Sequence, residues 1–346
     1  MYYGPRLKGS NFAPFYYRDF QGVKNLNGLD NPLNNTIKYT SLTILLVLAG
    51  FFLPVVGLFT SVVWFIPLIM LSVRNGFKYA VAGIIVLIAV LTAIASPQEA
   101  LLFSSQHVLI ALVYCNLFAR KAEFKELLLG GLLAAVLSAL TRIAVTVWAF
   151  GLSYKKWLQY MRNIADQVIK LYKETGVWEQ LTAGPLTGQD LKELLYGFSQ
   201  TMVNLTPAAL TTYGMLIAFI GLLIAIRVLK RNGFWAPDVP EFSRWKLPWQ
   251  MAWPAIIALA ALLLGDYLAN RFFLVIGQNL VYVLIPVYVV TGLAAVVFFY
   301  NKVKTSVFMK MVFLAIIVFN FPLFLMLLLL LGVFDPLINF RKLKQT

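Results

Sequence analysis

The stretch LLLGGLLAAVLSALTRIAVTVWAFG (residues 127–151) decides the fold class. It is apolar for longer than the roughly 20 residues that carry an α-helix across a bilayer, and Arg142 is its only charged residue. A guanidinium keeps its charge at any accessible pH. Placing one at the centre of a membrane helix costs about 3 kcal/mol on insertion scales, and more where nothing solvates it. The chain must therefore give Arg142 a partner, a wet cavity or a ligand, and this makes Arg142 the first candidate for a functional residue.

The rest of the chain suits the same solvent. Of its 346 residues 60% are hydrophobic and 12% charged, with a mean hydropathy of +0.79. A soluble domain carries about twice that share of charge. We read an all-α, polytopic transmembrane helical bundle of about nine spans, with a range of eight to ten. The spans are residues 39–54, 57–73, 78–96, 100–119, 126–151, 205–229, 249–268, 272–300 and 307–333. Leu53-Pro54 and Gly57 interrupt the first apolar run. A tight turn there gives two spans; one kinked helix instead gives eight spans in all.

The net charge of +15 reflects short basic loops beside apolar segments, not a nucleic-acid surface. A cytoplasmic N-terminal tail (1–38) places Arg6, Lys8, Arg18, Lys24 and Lys38 inside. The same orientation puts Arg74, Lys78, Arg120, Lys121, Lys125, Arg227, Lys230, Arg231, Arg244, Lys246, Lys302, Lys304 and Lys310 inside. The short outer segments then carry Arg271 and the basic C-terminal tail, 334–346, with Arg341, Lys342 and Lys344. A basic outer tail runs against the charge rule, so either the span count is off by one or residues 334–343 fold back. The first 37 residues lack an early apolar core, so no cleavable signal is expected. The single Cys115 excludes a disulfide framework.

Two loops carry patterns of their own. In the outer loop, 152–204, Trp157, Leu158, Met161, Ile164, Ala165, Val168 and Leu171 recur at helical spacing, which predicts an amphipathic helix from Tyr154 to about Lys173. Gly184-Pro185 breaks it, and a second helix is expected from Asp190 to Met202. These helices either lie among headgroups or cap a pocket. The inner loop, 230–248, is rich in proline, tryptophan and basic residues; Arg244, Trp245 and the neighbouring Trp249 either anchor it at the interface or dock a partner.

Polar residues inside the spans form the candidate site. At 1.5 Å per residue, Arg142 lies about 13 Å from the outer end of its helix, and Gln106, His107, Gln278 and Asn279 about 10 Å from theirs. Asn320, counted along the span 307–333, falls in the same outer half. Together they outline a polar pocket in which the Arg142 fork meets an acid group. Each amide also suits ordinary helix joining, and His107, the only histidine, suits a plain interhelical hydrogen bond. Arg142 has its own alternatives in Glu99, backbone carbonyls or the interface. No P-loop, nucleophile elbow or HExxH pattern occurs, and one His with one Cys makes no conventional metal site. The expectation is therefore a non-enzyme, with no metal and no cofactor.

The order of short motifs adds a resemblance. Leu53-Pro54-Val55-Val56-Gly57, Trp64-Phe65-Ile66-Pro67-Leu68, Arg74-Asn75-Gly76, Pro240 to Trp249, Gly277-Gln278-Asn279, Gly292-Leu293, Gly332-Val333-Phe334-Asp335 and Asn339-Phe340-Arg341 resemble the YybS-like membrane proteins of Gram-positive bacteria. The resemblance covers most of residues 39–343. Its first six spans are similar to S components of energy-coupling-factor transporters. This implies the bacterial cytoplasmic membrane, a small-molecule solute bound from outside, and a separate transmembrane or ATPase partner. The first helix departs from the S-component pattern, reading SLTILLVLAG (residues 41–50) where an alanine pair four apart is usual. A non-transporting scaffold or regulator of the cell envelope is the alternative role, and the lipid bilayer is a contact under either.

Overall fold

The computed structural model describes residues 31–302, 306, 311 and 319–342. The basic residues Arg6, Lys8, Arg18, Lys24, Lys304, Lys310 and Lys344, and most of the first half of the expected span 307–333, lie outside the described residues. The described residues form α-helices, two short 3-10 turns and connecting loops, with no strand. Nine of the helical stretches are long and apolar enough to cross a membrane.

Prolines and polar caps set the helix starts. α1 (Pro32–Phe52) opens on Pro32, with the Asn31 side chain accepting from the Leu33 amide at 2.9 Å. A proline in the first turn costs no hydrogen bond, because that amide is unpaired anyway. α2 (Pro54–Val63) follows at once, so Leu53-Pro54 is the expected turn and not a kink within one helix. Glycine allows the two arms to touch: a Cβ on Gly57 would lie 2.6 Å from the Gly50 carbonyl oxygen. α3 (Ile66–Asn75) completes the second span after a break at Trp64-Phe65. Pro67 explains the break, since its ring collides with the preceding turn.

α4 (Phe77–Ile94), α5 (Pro97–Ala119) and α6 (Phe124–Phe150) match the next three expected spans. The small face of α6 packs as its sequence suggests. Gly131 lies against the Tyr114 ring, and Ala135 against Gly214. With these helices and α9 (Gly188–Arg231), α1–α3 share one core in which Trp64, Phe65, Tyr114 and Phe118 are buried.

The outer loop differs from expectation. α7 (Tyr154–Glu174) begins where the periodicity places it, and α8 (Val177–Thr182) follows. The second loop helix and the sixth span are instead one 44-residue helix, α9, which runs through Pro207. At 1.5 Å per residue α9 is about 66 Å long. The stripe of α7 packs along α9, burying Ala165 and Ile169. Tyr196 donates to Asp166 at 2.6 Å, and Trp157 Nε1 donates to Thr206 at 3.1 Å. Its partner is thus another helix, an option the periodicity alone does not reveal.

α10 (Ala252–Tyr267), α11 (Arg271–Lys302) and α12 (Phe321–Ile338) form a second packing unit. Its contacts are backbone-close. A Cβ on Gly265 would lie 2.5 Å from the Leu274 nitrogen, and Gly292 and Gly332 press on the carbonyls of Leu328 and Tyr288. These pairings make α11 and α12 antiparallel. α12 starts at Phe321 and runs on to Ile338, past the expected end at 333.

Candidate functional site

The best-equipped cavity lies where α1, α2, α5 and α9 meet. It has a volume of about 240 Å³ and is lined by Val47, Gly50, Phe51, Gly57, Thr60, Ser61, Trp64, Phe103, His107 and Tyr213. The α1–α2 hairpin supplies one wall through its two glycines. The Pro67 break turns Trp64 inward against Phe103, with ring centroids 5.1 Å apart. His107 lies one helical turn along α5 from Phe103, its ring 4.9 Å from Phe103 and 6.0 Å from Tyr213. With Phe51 of α1, five aromatic rings from four segments therefore surround the space.

Two buried ring nitrogens there lack partners among the described residues: Trp64 Nε1 and His107 Nδ1. Buried polar groups are nearly always hydrogen-bonded, so each such orphan calls for a water or a ligand. Beside the cavity, Gln106 donates to the Leu210 carbonyl at 3.5 Å, while its Oε1 is also without a partner. Arg142, on α6, lies within electrostatic reach of His107, Tyr213 and Glu99. Its guanidinium makes no hydrogen bond and no ion pair among the described residues. The expected Glu99 pairing therefore exists only as a longer-range attraction. A charged fork without a partner, next to polar atoms without partners, is suited to an incoming anion.

The structure brings Arg142, His107 and Gln106 together and places the other three candidates elsewhere. Asn279 is fully engaged on α11. Its Oδ1 accepts from the Ala208 amide at 2.9 Å, and its Nδ2 donates to the Asn204 and Val275 carbonyls at 2.8 Å. Ala208 and Asn204 are the backbone pair that flanks Pro207, so Asn279 bridges the helix where proline disturbs it. Gln278 lies beside it on α11, away from the cavity lining. Asn320 is a correction: it is the exposed N-cap residue of α12, not a mid-span group. Antiparallel packing on α11 sets it near the Lys302 end, opposite the Arg271 end where Asn279 lies.

The expected docking trio divides similarly. Trp245 is used within the fold, its ring edge-on to Phe219 and Phe242 and tilted against Phe124, and its Nε1 donating to the Pro240 carbonyl at 2.9 Å. Arg244 is exposed and pairs with Glu241 at 3.2 Å; Trp249 is half exposed.

The cavity residues Trp64, Phe103 and Tyr213 escaped the sequence reading, because aromatics in a span at helical spacing read as packing. So did a second buried arginine. Asn339 adopts a left-handed conformation that ends α12 and turns the chain back. Arg341 then reaches Asp335 at 2.7 Å and the carbonyls of Ser243 and Trp245, each at 2.7 Å. Residues 334–338 thus stay helical, and the turn at Asn339 carries Arg341 back onto the loop 230–248. Nearby, Asp335 Oδ1 and Lys246 Nζ are buried without direct partners.

A larger groove of about 540 Å³ runs along α1 between Ser41 and Leu53, but it is apolar apart from Ser41 and offers a charged solute nothing. Among the described residues no three His, Cys, Asp or Glu side chains come together as metal ligands.

Residues 41–336 match the family described as "Predicted membrane protein (DUF2232)". The chain belongs to that family. The match spans both packing units, so the aromatic cavity and the glycine-packed helices are parts of one family unit. No curated protein and no solved structure matches the chain. The family description names no activity, and the site geometry has to carry the functional argument.

Proposed function

We propose that this integral membrane protein binds a small anionic or polar solute within its helical bundle, as the non-catalytic binding part of a transport system. The observation that carries this reading is Arg142: a charge without a partner, beside an aromatic cavity with its own unpartnered polar atoms. Binding an acid group there replaces the lost hydration of the guanidinium with two parallel charge-assisted hydrogen bonds. The basic ends of the helices favour a cytoplasmic N-terminus in a bacterial cytoplasmic membrane. The YybS-like ordering of motifs and the S-component likeness of the first six spans support a solute-binding role with a separate transmembrane or ATPase partner.

The test is a thermal-shift screen of detergent-purified protein against organic acids, phosphorylated compounds and their neutral analogues. Some anion should raise Tm in wild type and not in Arg142→Ala. Anions that stabilise both proteins equally, or none that stabilises either, would overturn the reading.

The second reading, a scaffold or regulator of the envelope, draws on α7 and the first half of α9. These helices leave Ile164, Leu171, Leu194 and Phe198 exposed. Under it, deleting the exposed stripe removes function and Arg142→Ala does not.

A further inference from the structure

The shape and chemistry of the cavity narrow the solute, and this step rests on the solute-binding reading above. We propose that the site takes a single planar ring carrying one carboxylate and one ring-borne hydrogen-bonding atom: a hydroxyaromatic or heteroaromatic monoacid.

Size sets the first limit. An apolar cavity of roughly 150 Å³ accepts benzene, and drug-sized ligands need about 300 Å³ or more. A space of about 240 Å³ holds one ring and a few further atoms. The walls set the second limit. Trp64 and Phe103 meet at 64°, and His107 and Tyr213 at 75°, so the lining offers both faces and edges to an entering ring. Aromatic rings prefer offset and edge-to-face contacts of this kind. Polarity sets the third. The indole N–H of Trp64 is a donor only. Buried and unpartnered, it requires an acceptor such as a ring nitrogen or phenolic oxygen. The His107 Nδ1 is a second such atom, accepting or donating according to its tautomer. Charge sets the fourth. The Arg142 guanidinium acts electrostatically on His107 and Tyr213, both in the lining, and makes no ion pair with Glu99. One further negative charge is what that corner lacks.

The experiment titrates detergent-purified wild-type protein, by calorimetry into the millimolar range, with 4-hydroxybenzoate, pyridine-3-carboxylate, benzoate, cyclohexanecarboxylate, succinate and benzamide. The two substituted ring acids should bind best, with cyclohexanecarboxylate weaker by roughly tenfold or more. Arg142→Ala should lose the acids and leave benzamide unchanged. Trp64→Phe keeps a ring and removes the N–H, so it should weaken 4-hydroxybenzoate and pyridine-3-carboxylate while sparing benzoate. Tyr213→Leu, at a partly exposed position, provides a second wall variant that keeps the fold. It should weaken every ring acid. Cyclohexanecarboxylate binding as well as benzoate, or succinate binding while no ring acid does, overturns the ring assignment and leaves the solute-binding reading standing. No binding by any ring acid overturns the assignment as well, and the broader anion screen judges the parent reading separately.

Discussion

Arg341 and Arg142 both carry a guanidinium into apolar surroundings, and the fold around each is built differently. Arg341 is 3% exposed, and its nitrogens reach the Asp335 carboxylate and two loop carbonyls. Arg142 is half buried and has no bonded partner among the described residues. Their neighbours are more mixed. In the α10–α12 unit Asn279 spends its whole amide on backbone, and the Tyr288 hydroxyl donates to the Met251 carbonyl at 2.6 Å. Around Arg142, Trp64, His107 and Gln106 each hold an idle buried atom, and beside Arg341 so do Asp335 and Lys246, so the contrast rests on the guanidinium itself. A charge whose needs are met inside the chain holds the fold together. One whose needs are left open is available to something outside it.

The largest expected effect is on the satisfied arginine. Arg341→Ala leaves Asp335 buried without its cation, which typically costs about 3–5 kcal/mol. Replacing both partners, Arg341→Met with Asp335→Leu, should recover most of that loss, because an apolar pair leaves no uncompensated charge. Arg142→Ala should change stability by no more than about 1 kcal/mol. Denaturation of the purified proteins measures all three. Equal losses from Arg341→Ala and Arg142→Ala would erase the contrast and make Arg142 a structural residue.

Next comes the glycine packing that holds the second unit. An added methyl at Gly332 meets the Tyr288 carbonyl, and one at Gly292 meets the Leu328 carbonyl. Neither backbone can yield cheaply, so Gly332→Ala and Gly292→Ala should each cost about 1–3 kcal/mol. At Gly197, in the exposed half of α9, an added methyl would meet nothing within 4 Å. Gly197→Ala should therefore stabilise the helix by up to about 1 kcal/mol. The sign difference, read as opposite shifts in Tm, checks the register of α11 against α12.

What the sequence conveyed follows the same division. Composition, span periodicity and helix-breaking prolines reveal the bundle, because the bilayer forces helices and each crossing needs a long apolar run. Arg142 is conspicuous for the same reason, since nothing nearby in the sequence answers its charge. Arg341 is not conspicuous. It reads as one of several tail cations, and only the left-handed turn at Asn339 sends it back to Asp335. The wall residues Trp64 and Tyr213 are equally silent, because spacing along one helix does not say which helices adjoin. Asn320 illustrates the opposite error. Counting residues along an assumed span placed it deep, whereas the helix begins just after it.

An effect of similar size, but local to one helix, is expected at the bridge across Pro207. Asn279→Ala leaves the Ala208 amide and the Asn204 carbonyl without their side-chain partners, a loss of about 1–3 kcal/mol where water cannot reach them. Hydrogen exchange at the Ala208 amide should quicken in this variant and leave amides in α12 unchanged. Faster exchange throughout α10–α12 would mean that Asn279 holds the two packing units together and does more than splint one helix.

The smallest effect belongs to the exposed pair Lys230–Asp238, whose atoms are 2.5 Å apart. Asp238 is held below the usual carboxylate range, first by the hydrogen bond that Lys230 donates and then by the charge of its ammonium. A carboxylate with a depressed folded-state pKa stabilises the fold above its unfolded value of about 4, and that contribution disappears as pH falls through the lower folded value. Water screens an exposed pair, so Asp238→Asn should leave Tm nearly unchanged at neutral pH. Any small deficit should close as the solution is acidified below the carboxylate range. A deficit that instead widened with acid would have the wrong sign for this ion pair. It would mean that Asp238 matters through contacts it makes in the protonated form, and that charge at this end of the bundle contributes more than its exposure suggests.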